Sequence, residues 1–315
     1  MTKNKNKKKY KIKNWPDYNE SLKQRGTIEV WINDDILDKW KALPSGRPGA
    51  QPVYSDLAIQ IVLQVGKVFH QKLRQTEGLL ENVFRLMKVK LSVPDYSTVS
   101  RRSANLNVLL TKEAKKKGEK LIVVIDSTGL KVYGEGEWKV RQHGVSKRRT
   151  WRKAHLMVAN GEIRAAELTK NNIADCDVFE NLLNQEKGKI DTVAGDGGYD
   201  RGKVYQACLK RKIKNILIPP QENAKIKLHG NLNSEPHPRD ENLRQIRKTT
   251  RKRWKEESGY HIRSLAETMM FRFKAILGDK LNARKLENQV TEFLTSVSIM
   301  NKITSLGMPD SYVVI

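Results

Sequence analysis

Residues 121–129 read LIVVIDSTG, an unbroken apolar run that ends on Asp126. A short apolar run bounded by polar residues is the pattern of a buried strand. A second run ends the same way in residues 191–200, DTVAGDGGYD, where Asp196 follows the apolar stretch. Strands that finish in a carboxylate present it at the edge of a sheet. Residues 259–274, GYHIRSLAETMMFRFK, add a third acid, Glu267, on an amphipathic helix. At about 100° per residue, Tyr260, Arg263, Glu267 and Lys274 project within a sector of roughly 60°. Ile262, Leu265, Ala266, Met269, Phe273 and Ile276 form the opposite, core-facing side. An isolated helix with this stripe reads as a solvated face carrying an Arg263–Glu267 pair at i,i+4. The two strand-end aspartates turn the reading toward a site for hard divalent cations, with the helix supplying the third oxygen ligand.

The chain has 315 residues, enough for a full α/β domain and a smaller helical one. Its 60 Lys and Arg against 35 Asp and Glu leave a formal charge of +25, which favours a polyanionic partner, nucleic acid first. A lysine- and asparagine-rich background explains part of that excess, but less easily its clustering with Arg and Trp in RQIRKTTRKRWK (residues 244–255). No stretch approaches the roughly 20 apolar residues that cross a bilayer, and the polar N-terminus lacks a signal-peptide core, so a cytoplasmic, nucleoid-associated protein without membrane contact is expected. Cys176 and Cys208 sit in no CxxC or Cys/His spacing. They read as ordinary thiols, and the histidines form no ligand pattern, which leaves carboxylates as the metal ligands.

Along the chain, residues 1–30 read as a basic flexible arm (Lys3, Lys5, Lys7, Lys8, Lys9, Lys11, Lys13) that either touches phosphates or only solubilises. Residues 31–110 read as a helical domain. One helix runs from Ser55 toward Leu73, a second is capped at Thr76, and a third is capped by Asp95 or Ser97 after Pro94. The third opens with Thr98, Ser100, Arg101 and Arg102, the pattern of a helix-turn-helix reading helix, although a helical bundle with a cationic last helix has the same look. TKEAKKKGEK, residues 111–120, is a linker. Residues 121–305 then switch to strand patterns: LIVVID, a hairpin-like region through RRTWRKAHLMVANGEIRAAEL with a turn at Asn160-Gly161, a helix near Cys176–Leu183, TVAGD, a helix Gly202–Arg211, NILIPP, and the Glu267 helix. The order β-β-β-α-β-α-β-α is that of a ribonuclease-H-like α/β domain, a mixed sheet flanked by helices that brings three acids to one edge.

Residues 219–258 read as a basic insertion in that domain. There Arg251, Arg253 and Trp254, among further cations, either grip DNA, with the indole stacking on a base or sugar, or form a solvated helix with one buried Trp. Residues 306–315 form a C-terminal tail. Asp175 and Asp177 read as helix caps, Asp191 as a turn residue, and Asp200 as a cap of the next helix and the strongest rival ligand. His143 and His155 flank a basic strand region where phosphate contact or simple packing both fit.

Tyr260, Arg263, Glu267 and Lys274 match the Y-(2)-R-(3)-E-(6)-K signature around the third acid of bacterial insertion-sequence transposases of the DDE type, and the chain resembles the insertion-sequence-5 group in particular. VVIDSTGLKVYGEGEW, AGDGGYD, LRQTEGLL, VPDYSTVSRR and YNESLKQRGTIEVW extend the resemblance over nearly the whole chain. It implies a transposase that binds terminal inverted repeats and performs metal-dependent cleavage and strand transfer into target DNA. Asp126, Asp196 and Glu267 would hold two Mg²⁺ ions, with Mn²⁺ as a substitute. Lys274 and Arg263 would steady phosphates or the triad, and Tyr260 would stack or donate a hydrogen bond. A homodimer on double-stranded DNA is expected, since two ends must be held together. The alternatives are a nuclease of the same fold without strand transfer and a non-catalytic DNA-binding regulator.

Overall fold

The computed structural model describes residues 9–44, 46, 48–110, 120–132, 151–227 and 236–314. Lys3, Lys5, Lys7 and Lys8, nearly all of the expected linker, the start of the hairpin-like region with His143, and residues 228–235 lie outside the described residues. The chain divides into two compact units, one of residues 1–111 with 298–315 and one of residues 112–297.

In the first unit, β1 (Lys9–Ile12) precedes α1 (Trp15–Gln24), the short α2 (Ile28–Trp31) and α3 (Asp34–Asp38), then α4 (Asp56–Val68), α5 (Leu73–Leu86) and α6 (Tyr96–Arg102). Side-chain caps open α4 and α6. The Ser55 hydroxyl accepts from the Ala58 N–H at 3.1 Å, and Asp95 accepts from the Ser97 and Thr98 N–H groups at 3.0 Å. The Ser97 hydroxyl, donating to the same oxygen at 2.5 Å, and the Thr98 hydroxyl do most to hold the Asp95 carboxyl well below the usual carboxylate range, with the backbone N–H groups adding to them. Thr76 is not a cap. It is buried one turn inside α5, its hydroxyl donating to the Lys72 carbonyl, while the Gln75 side chain receives the Lys72 N–H. Buried Gln60 answers both backbone groups of Leu109 at 3.0 Å, tying α4 to the chain after α6.

The expectation of a flexible arm meets a different outcome at residues 9–12. The strand β1 pairs antiparallel with β8 (Ser311–Val314), and the Asn14 side chain bridges the Met308 carbonyl and the Asp310 N–H. Part of the basic arm and part of the C-terminal tail therefore form one small sheet, followed by the helix α1.

In the second unit, β2 (Leu121–Val132), β3 (Trp151–Ala159) and β4 (Glu162–Lys170) are consecutive antiparallel strands. Asn160 and Gly161 join β3 to β4 with φ of 52° and 78°, the doubly left-handed turn that Asn-Gly favours. Then follow α7 (Asp175–Gln185), β5 (Ile190–Ala194), α8 (Gly202–Lys210), β6 (Asn215–Leu217), α9 (Pro238–Lys248), α10 (Arg251–Glu257), α11 (Ser264–Leu277), β7 (Lys280–Leu281) and α12 (Leu286–Leu306), which enters the first unit at Ser298. Strands β2, β5 and β6 are parallel, so the sheet is mixed in the order β4-β3-β2-β5-β6, with β7 added beside the far end of β2. One face of β2 (Leu121, Val123, Ile125) packs with Met157, Phe179, Leu182, Val204 and Tyr205 under α7 and α8. Each of these side chains removed from water contributes about 1.5–3 kcal/mol before conformational entropy is subtracted. The opposite face receives α11.

His155 lies on the α7 side, fully buried, with Nε2 2.9 Å from the Thr169 hydroxyl and Nδ1 3.4 Å from Asp175. Asp175 also pairs with Lys153 at 3.1 Å, so it joins α7 to β3 from the first helical turn and is not the cap. Asp177, likewise in that turn, pairs with Lys203 of α8. Asp191 lies within β5. Burial pushes the His155 imidazole down to about 4, with Lys153 adding to the shift and Asp175 opposing it. A depressed histidine pKa means that the unfolded chain takes up the proton first. Stability therefore falls as pH drops from about 6.5 toward 4 and is unaffected above that window. Urea unfolding should show a loss of about 2 kcal/mol between pH 7 and pH 5 that is absent from His155→Gln; equal losses in both proteins would refute this assignment.

Candidate active site

The last paired residues of β2 and β5 before the site are Val124 and Ala194. Asp126 and Asp196 each follow two residues later, so parallel register brings both acids to the same level of the sheet. Asp126 does not end its strand. It sits inside the long β2, which continues to Val132 against β3, and it overhangs the site because β5 stops at Ala194. The glycines after Asp196 make room for the carboxylate: Gly198 donates its N–H to Asp196 Oδ1 at 2.9 Å, and a Cβ at Gly198 would meet that same oxygen at 2.9 Å.

The third acid arrives by packing. Val124, Ala194 and Ala266 are completely buried against one another, with Leu217 and Ile262 around them. Two alanines among three contact residues let the helix approach the sheet closely, and Glu267 is the residue after Ala266. The segment is not one uniform helix. Residues Tyr260–Arg263 form a 3-10 turn that leads into α11, and Leu265, expected on the core face, is exposed. Tyr260 is buried instead of standing on an open stripe, and burial raises its hydroxyl pKa.

Arg263 lies against two of the acids. Its guanidinium contacts the Glu267 carboxylate and stands 3.5 Å from Asp126 Oδ2. Asp126 Oδ1 also accepts the Ser127 N–H at 2.8 Å. Burial raises the Asp126 pKa, and the nearby Asp196 and Glu267 charges push the same way; the Ser127 N–H and Arg263 act against them. Lys274, two turns beyond Glu267, donates to the Thr128 hydroxyl at 2.6 Å. Thr128 is the next residue of β2 on the Asp126 face, so this bond fixes the far end of α11 to the strand that carries the first acid. The sequence alone singles out neither Thr128 nor the Val124–Ala194–Ala266 contact.

Carboxylate oxygens are the hard donors that a divalent cation takes, but here a guanidinium already neutralises two of the three acids. Among the described residues no three acidic, histidine or cysteine side chains converge closely enough to enclose one ion, and Arg263 occupies the space between Asp126 and Glu267. Asp200, the rival ligand, is neither cap nor open acid: its carboxylate is buried in an ion pair with Arg239.

The residues expected to touch DNA meet different fates. Trp254 is 2% exposed and packs on Tyr260 with ring centroids 5.7 Å apart, so its indole is unavailable for stacking on a base. The amphipathic α10 turns that side inward. Arg251 donates to the Pro220 carbonyl at 2.7 Å, whereas Arg253 is well exposed beside Glu257. In α6, Thr98 is half-buried, Ser100 and Arg101 are exposed, and Arg102 is tied to Asp56 and to the Tyr54 carbonyl.

Overfilling the contact beneath the acids tests its role. Ala266→Leu should lower stability by about 1–3 kcal/mol, whereas Leu265→Ala, one position away on the exposed side, should change it by less than about 0.5 kcal/mol. Equal effects in urea unfolding would show that α11 is not seated by Ala266.

The chain matches the family described as transposase DDE domain over residues 23–135 and again over residues 117–302. No solved structure matches it significantly. Among the described residues no helix is long and apolar enough to cross a membrane. The second family match alone spans more than half of the chain, over the strands and the helix that carry all three acids, and on that ground the protein belongs to the DDE transposases.

Proposed function

We propose that this DDE transposase binds the terminal inverted repeats of its element and carries out metal-dependent DNA cleavage and strand transfer, with Asp126, Asp196 and Glu267 as the acidic triad. The observation that carries the reading is the shared register of Asp126 and Asp196 beyond Val124 and Ala194, with Glu267 beside Ala266 in the same contact. The strand order β4-β3-β2-β5-β6 supports a ribonuclease-H-like core.

The triad would hold Mg²⁺, or Mn²⁺ in its place, as a pair of ions. Divalent ions at such a site supply Lewis-acid chemistry, lowering the pKa of an attacking water or 3′-hydroxyl and stabilising charge on the departing 3′-oxygen. The protein's own groups do the rest. Asp126, Asp196 and Glu267 supply oxygen donors from two neighbouring strands and one helix, so no single loop movement scatters them. Arg263 supplies the counter-charge for Asp126 and Glu267, and rotation of its long side chain frees both carboxylates. Lys274, braced on Thr128, keeps a positive charge at the far end of α11 where a phosphate can be met. Tyr260, wedged on Trp254, supports the turn from which Arg263 extends.

DNA would be held by the net charge of +25, by Arg253 in the basic segment, where Arg251 supports the chain through the Pro220 carbonyl, and by the first unit, where Thr98, Ser100 and Arg101 of α6 reach a groove as in a helix-turn-helix. Arg102 belongs to the brace between α6 and α4 and supports that helix. Joining two ends requires two active sites, hence a homodimer on DNA, in the cytoplasm at the nucleoid.

Asp126→Ala, Asp196→Ala and Glu267→Ala should each abolish cleavage and joining in Mg²⁺ while end binding stays within about twofold. Binding should weaken steeply with salt in all three. Normal cutting by any of the three variants would remove that acid from the triad. Ends cut by the wild type but never joined to target would leave a nuclease in place of a transposase.

A further inference from the structure

Asp200 follows Asp196 by one short turn, and its carboxylate is saturated. It receives Arg239 Nε at 2.7 Å, Arg239 Nη2 at 3.2 Å, the Tyr205 hydroxyl at 3.2 Å and the Gln221 N–H at 3.0 Å. Its side chain is 1% exposed and that of Arg239 is 13% exposed. Burying such a pair is costly unless the geometry is complete, and an apolar pair would fill the same volume with less risk. The pair is therefore weak evidence for stability, and fixing registry is the best-attested use of such pairs.

Three pieces of chain meet at this carboxylate. The first is the Gly197–Tyr199 turn, whose Gly198 N–H holds Asp196. The second is the segment after β6, where Gln221 is bound by Asp200 and the Pro220 carbonyl by Arg251 at the start of α10. The third is the first turn of α9, because Arg239 is the second residue of that helix and also reaches the Lys225 carbonyl at 3.1 Å. Buried Asp240 beside it accepts the Lys227 N–H through both oxygens, at 3.1 and 3.2 Å, and Asn242 donates to the Ile216 carbonyl of β6 at 2.8 Å. The basic helices α9 and α10 are thus strapped to the loop of the second acid. Lys248, Lys252 and Arg253 remain exposed on those helices.

We propose that Asp200 and Arg239 are positioning residues that hold the cationic helices α9 and α10 in fixed register with Asp196, so that a DNA backbone gripped by those helices presents one particular phosphodiester to the acids. The inference rests on the DNA-cleaving reading above for its substrate, but not for its mechanical part. Neither residue touches the reacting atoms, and the effect passes through the Asp196 turn and the segment at residues 219–221.

The full chain carrying Arg239→Gln, Asp200→Asn or both tests this in two ways. Hydrogen exchange without DNA should show amides of residues 238–257 exchanging at least tenfold faster in the single variants, with β2 and β3 unchanged. End-labelled duplex DNA in Mg²⁺ should be cut by the wild type at one phosphodiester and by the variants at several neighbouring ones, a scatter that mere loss of stability would not produce. The double variant, a neutral amide pair, should regain part of both properties. If Asp200→Asn does not fold, Arg239→Gln at the more exposed partner carries the test. Unchanged exchange at residues 238–257 would overturn the proposal. So would faster exchange with cuts still confined to the wild-type position, which would leave the pair merely structural. Should the wild type cut no DNA, the DNA-cleaving reading fails, and the exchange measurement alone decides whether the clamp exists.

Discussion

The contact of Val124, Ala194 and Ala266 is the constraint on which the site depends. Each of these small or medium apolar residues stands one or two positions before an acid, so the hydrophobic effect, which is indifferent to chemistry, sets the place of the charged groups. An aspartate has no means of drawing another aspartate toward itself; like charges at close range cost energy. Something apolar must bring them together, and it must do so on the side of the sheet where β5 stops and leaves β2 overhanging. The two alanines matter for what they lack. With larger side chains the helix would ride higher over the strands, and Glu267 would move away from Asp126.

Electrostatics then acts on what packing has assembled. Burial raises the Asp126 pKa, Asp196 and Glu267 add to the rise, and Arg263 and the Ser127 N–H offset it. A cationic side chain from the turn that leads into the Glu267 helix is thus part of how the acidic cluster is tolerated. The arginine also explains why an i,i+4 ion pair on this helix is a poor guide to function when seen in isolation. The same Arg263–Glu267 pair forms on a bland solvated face; what differs here is that the guanidinium also reaches a strand.

Some local signals are readable from the sequence alone, although the caps expected at Thr76, Asp175 and Asp200 do not form. Ser55, Asp95 and the Asn160-Gly161 turn act through bonds or dihedrals within a few residues, and each takes the role its chemistry suggests. The order of strands and helices in the second unit was also readable, because apolar runs ending in turn residues mark buried strands one at a time. Long-range pairing was not readable. Nothing local in residues 9–12 announces a partner at residues 311–314, so a lysine-rich segment reads as a loose arm until its strand partner is known. Trp254 shows a second limit. A tryptophan among arginines looks like a stacking residue, but seven residues of amphipathic helix suffice to point it inward against Tyr260.

Asp200 fails in the sequence for a related reason, and its case shows how a motif can mislead. In GDGGYD two acids stand four residues apart, and nothing local distinguishes a ligand from a structural carboxylate. What separates them is supply of donors. Among the described residues Asp196 accepts a single N–H, from its own turn, whereas Asp200 is met by an arginine, a phenol and a backbone N–H drawn from three separate places in the chain. A carboxylate that is already fully bonded has little left to offer a cation, and one that is held by a single bond has most of its capacity. The difference in bonding between the two acids therefore comes from the distant residues Arg239 and Gln221, which the spacing of the motif does not encode.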